Sequence, residues 1–122
     1  HEITNSINKY IIKKIEKDYH RKISKIDIRC HYFDIGDYFR IHFDSYAGSL
    51  AATINLSKNW KWDCGGFLCV PYGKNYEKIS CMFPQWNSMN ILDNSKDFSP
   101  HFVTPIQNFA KSKRYTITLF IT

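Results

Sequence analysis

The chain has 122 residues, about one domain's worth, and its 43% hydrophobic and 23% charged residues describe a globular protein. No apolar run approaches the roughly 18 residues a membrane span needs, so disorder, collagen and a transmembrane helix are excluded. Aromatic residues make up 16%, with only five Gly and four Pro, which favours strands over an all-helical bundle, and 17 Lys and Arg against 11 Asp and Glu give a net charge of +6 that draws anions.

In chain order, the first element is a helix. Ile3, Ile7, Ile11, Ile15 and Tyr19 recur every four positions with Lys and Glu on the other sides, which predicts about five turns of amphipathic helix. Much of the positive charge sits here, at Lys9, Lys13, Lys14, Lys17, Arg21, Lys22 and Lys25. A solvated helix face is the ordinary reading of such a run; a patch for an acidic partner or nucleic acid is the alternative.

Eight short β-rich runs follow, at 27–33, 38–44, 49–56, 66–71, 78–83, 89–93, 102–106 and 114–122. Turn-forming pieces separate them: Ile35-Gly36-Asp37, Asp63-Cys64-Gly65, Tyr72-Gly73-Lys74-Asn75 and Asn94-Ser95-Lys96-Asp97. One helix and then eight strands at roughly ten-residue spacing form the pattern of a barrel or jelly roll with a helix outside. The expectation is a mostly β, α+β single domain over 1–122, with the helical segment at 1–25 and the β core at 27–122.

Within the second run, His42 and Asp44 lie two apart on a strand and so project from the same face. An imidazole and a carboxylate so placed can share a divalent metal, and His101, at the start of the seventh run, is the best candidate for a third ligand. Two His and one carboxylate make the facial triad of non-haem Fe(II) oxygenases, whereas structural zinc wants four closed ligands, usually with thiolates. Alone, the HxD spacing is a weak signal, and the plainer reading makes His42 a hydrogen-bonded strand histidine, Asp44 a turn residue and His101 a loop residue. Arg114 opens the last run with Thr116 and Thr118 on its face, and an inward guanidinium needs an anion, for which its bidentate fork suits a carboxylate. Shielding of a sheet edge is the plainer role for such an Arg.

The segments YFRIHFD, LAATINLSKNWKWDCGG, SPHFVTPI and RYTIT, in this order and spacing, resemble the double-stranded β-helix core of the Fe(II)- and 2-oxoglutarate-dependent oxygenases, in its prolyl-4-hydroxylase-like branch, over about 34–122. The resemblance implies that His42, Asp44 and His101 hold Fe(II) and that Arg114 grips the distal carboxylate of 2-oxoglutarate with help from Thr116 or Thr118. It further implies that decarboxylation of 2-oxoglutarate to succinate with O2 is coupled to C–H hydroxylation, with ascorbate as an accessory reductant. Asn55 stands where many prolyl hydroxylases have a Tyr on that carboxylate, and Tyr38 is the alternative source of a hydroxyl. Asp44 disfavours halogenation, because related halogenases have a small residue there. The last strand lacks the extra Arg and Asn of the nucleic-acid demethylases, which disfavours base repair.

The expected partners are a peptide, a protein or an amino-acid-like small molecule. The competing reading is a non-catalytic or cupin-like metal-binding β-barrel module, against which an inward Arg114 counts. The opening at His1, without a signal-peptide pattern, fits a trimmed upstream segment and an expected cytoplasmic setting.

Other residues read as structural. Trp60 and Trp62 are expected to buttress a turn rather than cover a site, and Gly65 and Gly66 to serve backbone geometry. Trp86 belongs to a packing loop, His20 to the polar side of the helix, and His31 to a strand where it is satisfied locally. The four cysteines, 30, 64, 69 and 81, show no CxxC and are expected as free thiols, with a Cys64–Cys69 link disfavoured.

Overall fold

A computed structural model describes residues 2–44, 50–95 and 99–122. The expected strand start at 49 and the turn residues Lys96 and Asp97 lie outside the described residues. One continuous helical segment opens the chain: α-helix α1 (Glu2–Ser6), a π-helical stretch (Ile7–Ile12) and α-helix α2 (Lys13–Asp18). Eight strands follow among the described residues: β1 (Ile26–Phe33), β2 (Phe39–His42), β3 (Leu50–Asn55), β4 (Leu68–Tyr72), β5 (Lys78–Met82), β6 (Ser88–Asp93), β7 (His101–Val103) and β8 (Arg114–Ile121). They form two four-stranded antiparallel sheets, ordered β1-β8-β3-β6 and β2-β7-β4-β5, the expected jelly-roll core.

The π-helical stretch has a cause in the sequence. In an α-helix, residues four apart overshoot a full turn by roughly 40°, so a strict repeat of four rotates off the sheet within a few turns. The wider π turn, closed by i→i+5 hydrogen bonds, rotates the stripe back and brings Ile7 and Ile12, five apart, to the same side. Ile7, Ile12 and Ile15 are buried, with Ile11 and Tyr19 packed against them. Ile3, expected on the stripe, is 61% exposed, and Ile12, absent from the repeat of four, takes a core place. The helix ends at Asp18, so His20 lies beyond it in a left-handed conformation (φ 50°) rather than on its polar side. The lysines at 9, 13, 14 and 17 are exposed, as a solvated face requires.

Strand alternation then sorts β8 onto two faces. Ile117, Leu119 and Ile121 join Leu50, Ala52 and the helix isoleucines in one core cluster, each fully buried large side chain stabilising the fold by about 1.5–3 kcal/mol. Arg114, Thr116, Thr118 and Phe120, from the other face, turn into a cavity between the sheets. A second cluster, of Phe33, Trp60, Cys64, Leu68, Val103 and Ile106, adjoins the cavity, which Phe33, Leu68 and Val103 also line.

Candidate metal centre

His42 and His101 are brought together by a single ladder pair. They are directly opposite in the β2–β7 register, and their rings lie 4.3 Å apart, centroid to centroid. Asp44 follows β2 by two residues, and its Oδ2 stands 3.8 Å from His101 Nε2. One ligand atom from each of the three lies within 4.8 Å of the others. Each imidazole is held by main chain: His42 Nδ1 donates to the Arg40 carbonyl (2.7 Å) and His101 Nδ1 to the Ser99 carbonyl (2.8 Å). A carbonyl only accepts, so both Nδ1 atoms carry the proton and both Nε2 lone pairs are free for a metal. His101 is 7% exposed, and burial, with the neighbouring His42, holds its pKa below the usual histidine value against the opposing pulls of the Ser99 carbonyl and Asp44. The ring therefore stays neutral, the form that ligates.

The three donors line one part of a cavity of about 210 Å³, whose other walls include Ala51, Thr53, Leu68, Leu92, Val103 and the cavity face of β8. Arg114 is the buried cation of that cavity. It is 2% exposed, lies over the Phe33 ring (5.2 Å to the centroid), and its Nε has no hydrogen-bond partner among the described residues. Burial lowers its pKa to about 10, which still leaves it charged at neutral pH. A buried guanidinium with no ion pair among the described residues is costly unless an anion joins it. Gly66 makes room for it: at φ 72° a Cβ there would stand 2.6 Å from Arg114 Cδ. The glycine thus serves backbone geometry and, in addition, the seat of the arginine.

Thr116 and Thr118 line the cavity beside Arg114. Tyr38 does not line it and is 54% exposed: it precedes β2, and its neighbour Phe39 takes the cavity side. Asn55 shares the face of Ala51 and Thr53 and pairs with Thr116, but it lies past the cavity, buried, with its amide nitrogen donating to Ser88 Oγ (3.0 Å). Neither expected source of an accessory contact is therefore on the cavity wall.

His31 is there instead, contrary to the expectation of a locally satisfied strand histidine. With Arg29 and Phe33 it forms the inward face of β1, and its register partner is Thr116. Burial lowers its pKa, and the charges of Arg29 and Arg114 lower it further. The period-two series Arg29, His31, Phe33 puts these three on one face, and the pairing with β8 turns that face inward. Trp60 buttresses the turn as expected, its Nε1 donating to the Gly65 carbonyl (2.9 Å), while Trp62, 74% exposed, stacks on Phe83. Trp86 lies under Lys58 Nζ at 4.9 Å from its centroid, away from the cavity.

This fold, with a His-Asp-His cluster facing a buried arginine across a β-barrel cavity, defines a non-haem iron oxygenase architecture. The family model described as the 2OG-Fe(II) oxygenase superfamily matches residues 28–122, and the chain belongs to that superfamily. Among solved structures it is similar to a Pseudomonas putida prolyl-4-hydroxylase (TM-score 0.71, 16% identity, 88% of this chain and 57% of that one). It is also similar to a prolyl 4-hydroxylase from Phytophthora capsici (0.64, 13%, 91% and 38%). A third is a Trichoplax adhaerens prolyl hydroxylase in complex with a peptide fragment of the hypoxia inducible factor oxygen degradation domain (0.59, 23%, 83% and 44%). The chain thus spans between 38% and 57% of the length of these three structures. Among curated proteins, no sequence matches it. Among the described residues, no helix is long and apolar enough to cross a membrane.

Proposed function

We propose that the chain carries the catalytic core of an Fe(II)- and 2-oxoglutarate-dependent hydroxylase of the prolyl-4-hydroxylase type. The observation that carries this reading is the cavity itself, with three metal-type donors and, on the wall formed by β8, a buried cation with no ion pair among the described residues. His42 and His101 offer Nε2 and Asp44 a carboxylate oxygen, a mixed nitrogen and oxygen set suited to Fe(II). Bound there, iron supplies the oxidising chemistry with O2 and 2-oxoglutarate.

The chain's own residues bind and orient. Arg114 offers its guanidinium to the distal carboxylate of 2-oxoglutarate, and the hydroxyls of Thr116 and Thr118 stand beside it. The low-dielectric setting strengthens that charge-assisted pairing. Phe33, Leu68 and Val103 give the cavity apolar walls, which keep water from the reacting carbon. A peptidyl substrate is favoured over a small free molecule by the solved Trichoplax relative, which holds a peptide, and by the open edge at β2, where all four residues are exposed.

The deciding experiment is anaerobic titration with Fe(II) and then 2-oxoglutarate, following the visible metal-to-ligand charge-transfer band in the wild type and in Arg114→Ala. A band that is present in the wild type and weakened in the variant is the expected result. Bound iron with no band on adding 2-oxoglutarate would overturn the co-substrate assignment.

A further inference from the structure

Two of the chain's four cysteines meet. Cys69 in β4 and Cys81 in β5 are directly opposite in the antiparallel register, and their sulfurs lie 2.8 Å apart, with the Cys69 thiol donating to Cys81 Sγ. Directly opposed antiparallel residues have Cα atoms about 4.5–5.5 Å apart. A disulfide spans Cα separations of about 4.4–6.8 Å, so the backbone already has the geometry for one. Both thiols are free here, and the partner of Cys69 is Cys81 across the sheet, not Cys64 along the chain.

The two sulfurs differ in access. Cys69 is 2% exposed, whereas Cys81, on the edge strand, is exposed. Burial, and then the bond to Cys81, push the Cys69 thiol up to about 12, so Cys69 keeps its proton and directs it at Cys81. A thiolate formed on Cys81 would receive that hydrogen bond, and Cys81 is the sulfur a dissolved oxidant reaches.

We propose that Cys69 and Cys81 form a dithiol modification site that hydrogen peroxide closes to a disulfide, with Cys81 as the attacking sulfur and Cys69 as the resolving one. In the first step the Cys81 thiolate attacks one peroxide oxygen and the O–O bond breaks. Cys81 becomes a sulfenic acid, oxidised by two electrons, and hydroxide leaves to take up the proton that Cys81 gave up. In the second step Cys69 sulfur attacks Cys81 sulfur, the S–O bond breaks, and water departs with the Cys69 proton. The sum is two thiols and one peroxide giving one disulfide and two waters. The link forms on the back of its sheet: Cys69 pairs with Phe102 and alternates with Leu68, while Leu68, His101 and Val103 face the cavity. Closure therefore ties the exposed edge strand β5 to β4 and leaves the cavity walls in place.

The test treats the full metal-free chain with hydrogen peroxide and follows titratable thiols, intact mass and a peptide map. The expected result is a fall from four thiols to two, a mass loss of two hydrogens, a Cys69–Cys81 linked peptide, and full reversal by dithiothreitol. In Cys81→Ser the link is lost. In Cys69→Ser, which lacks the resolving sulfur, Cys81 runs on to the sulfinic acid. Links through Cys30 or Cys64, a covalent dimer, or sulfinic acid on Cys81 in the wild type without the internal link would each overturn the proposal, as would four persisting thiols.

Discussion

In the sheet β1-β8-β3-β6, β1 and β8 pair without a break from Ile26↔Ile121 to Phe33↔Arg114, whereas in β2-β7-β4-β5 the register shifts between Phe39 and His42, and β7 has three residues. The first sheet is covered by the helix on one side and bounds the cavity on the other, so β8 is held from both faces. The second leaves β2 exposed along its whole length. The buried arginine stands on the continuous sheet, while the three metal-type donors stand at strand ends on the irregular one. An anchor that must remain desolvated is placed where packing is deepest. The donors need only a short mutual distance, and one ladder pair with two main-chain hydrogen bonds supplies that.

The sharpest way to break this division is through the core of the first sheet. Leu119→Ala, at a fully buried position between helix and sheet, is expected to cost about 2–5 kcal/mol of unfolding free energy in urea denaturation. The donors should respond in the opposite manner. His101→Ala is expected to weaken Co(II) or Fe(II) binding by at least about 100-fold in anaerobic calorimetry, since its loss leaves two protein donors. A loss of stability as large as that of Leu119→Ala would show that the irregular sheet also carries the fold.

Arg114→Ala should separate the two sheets functionally. Metal affinity is expected to stay near wild type while 2-oxoglutarate affinity falls about 10- to 100-fold, the worth of about 1.5–3 kcal/mol for a lost charge-assisted hydrogen bond. Equal losses for metal and 2-oxoglutarate would contradict the separation. The smallest effect tests the arginine's seat. Gly66→Ala is expected to cost about 1–3 kcal/mol from its positive φ and the contact with Arg114. It should also weaken 2-oxoglutarate binding more than Gly36→Ala does, since a Cβ at Gly36, also at positive φ, meets nothing within 4 Å.

The same contrast explains what was legible in the sequence. Period-two alternation and the turn residues marked all eight strands, because both are local properties of the chain. The common face of Arg114, Thr116 and Thr118 followed from that alternation, whereas Asp44 shares the cavity with His42 from beyond the end of β2, which stops at His42 rather than at 44. Which face meets the cavity is a long-range fact, and there the sequence reading fell short. His31 shares the inward face of β1 with Arg29 and Phe33, but only the pairing with β8 turns that face toward Arg114. The placement of Tyr38 depended on its neighbour Phe39 taking the cavity side, and the meeting of Cys69 with Cys81 on the β4–β5 register; neither could be read from spacing. The exposure of Ile3 came from a change of helical winding, which an assumed uniform α-helix hides.

The acceptors that orient the two imidazoles belong to the peptide backbone, each two positions before the histidine it holds. No side-chain replacement at Arg40 or Ser99 deletes a carbonyl. The exposed Arg40 is therefore free to vary in charge and size while the His42 ring keeps its aim, whereas Ser99, at φ 45°, is confined to residues that accept a left-handed backbone.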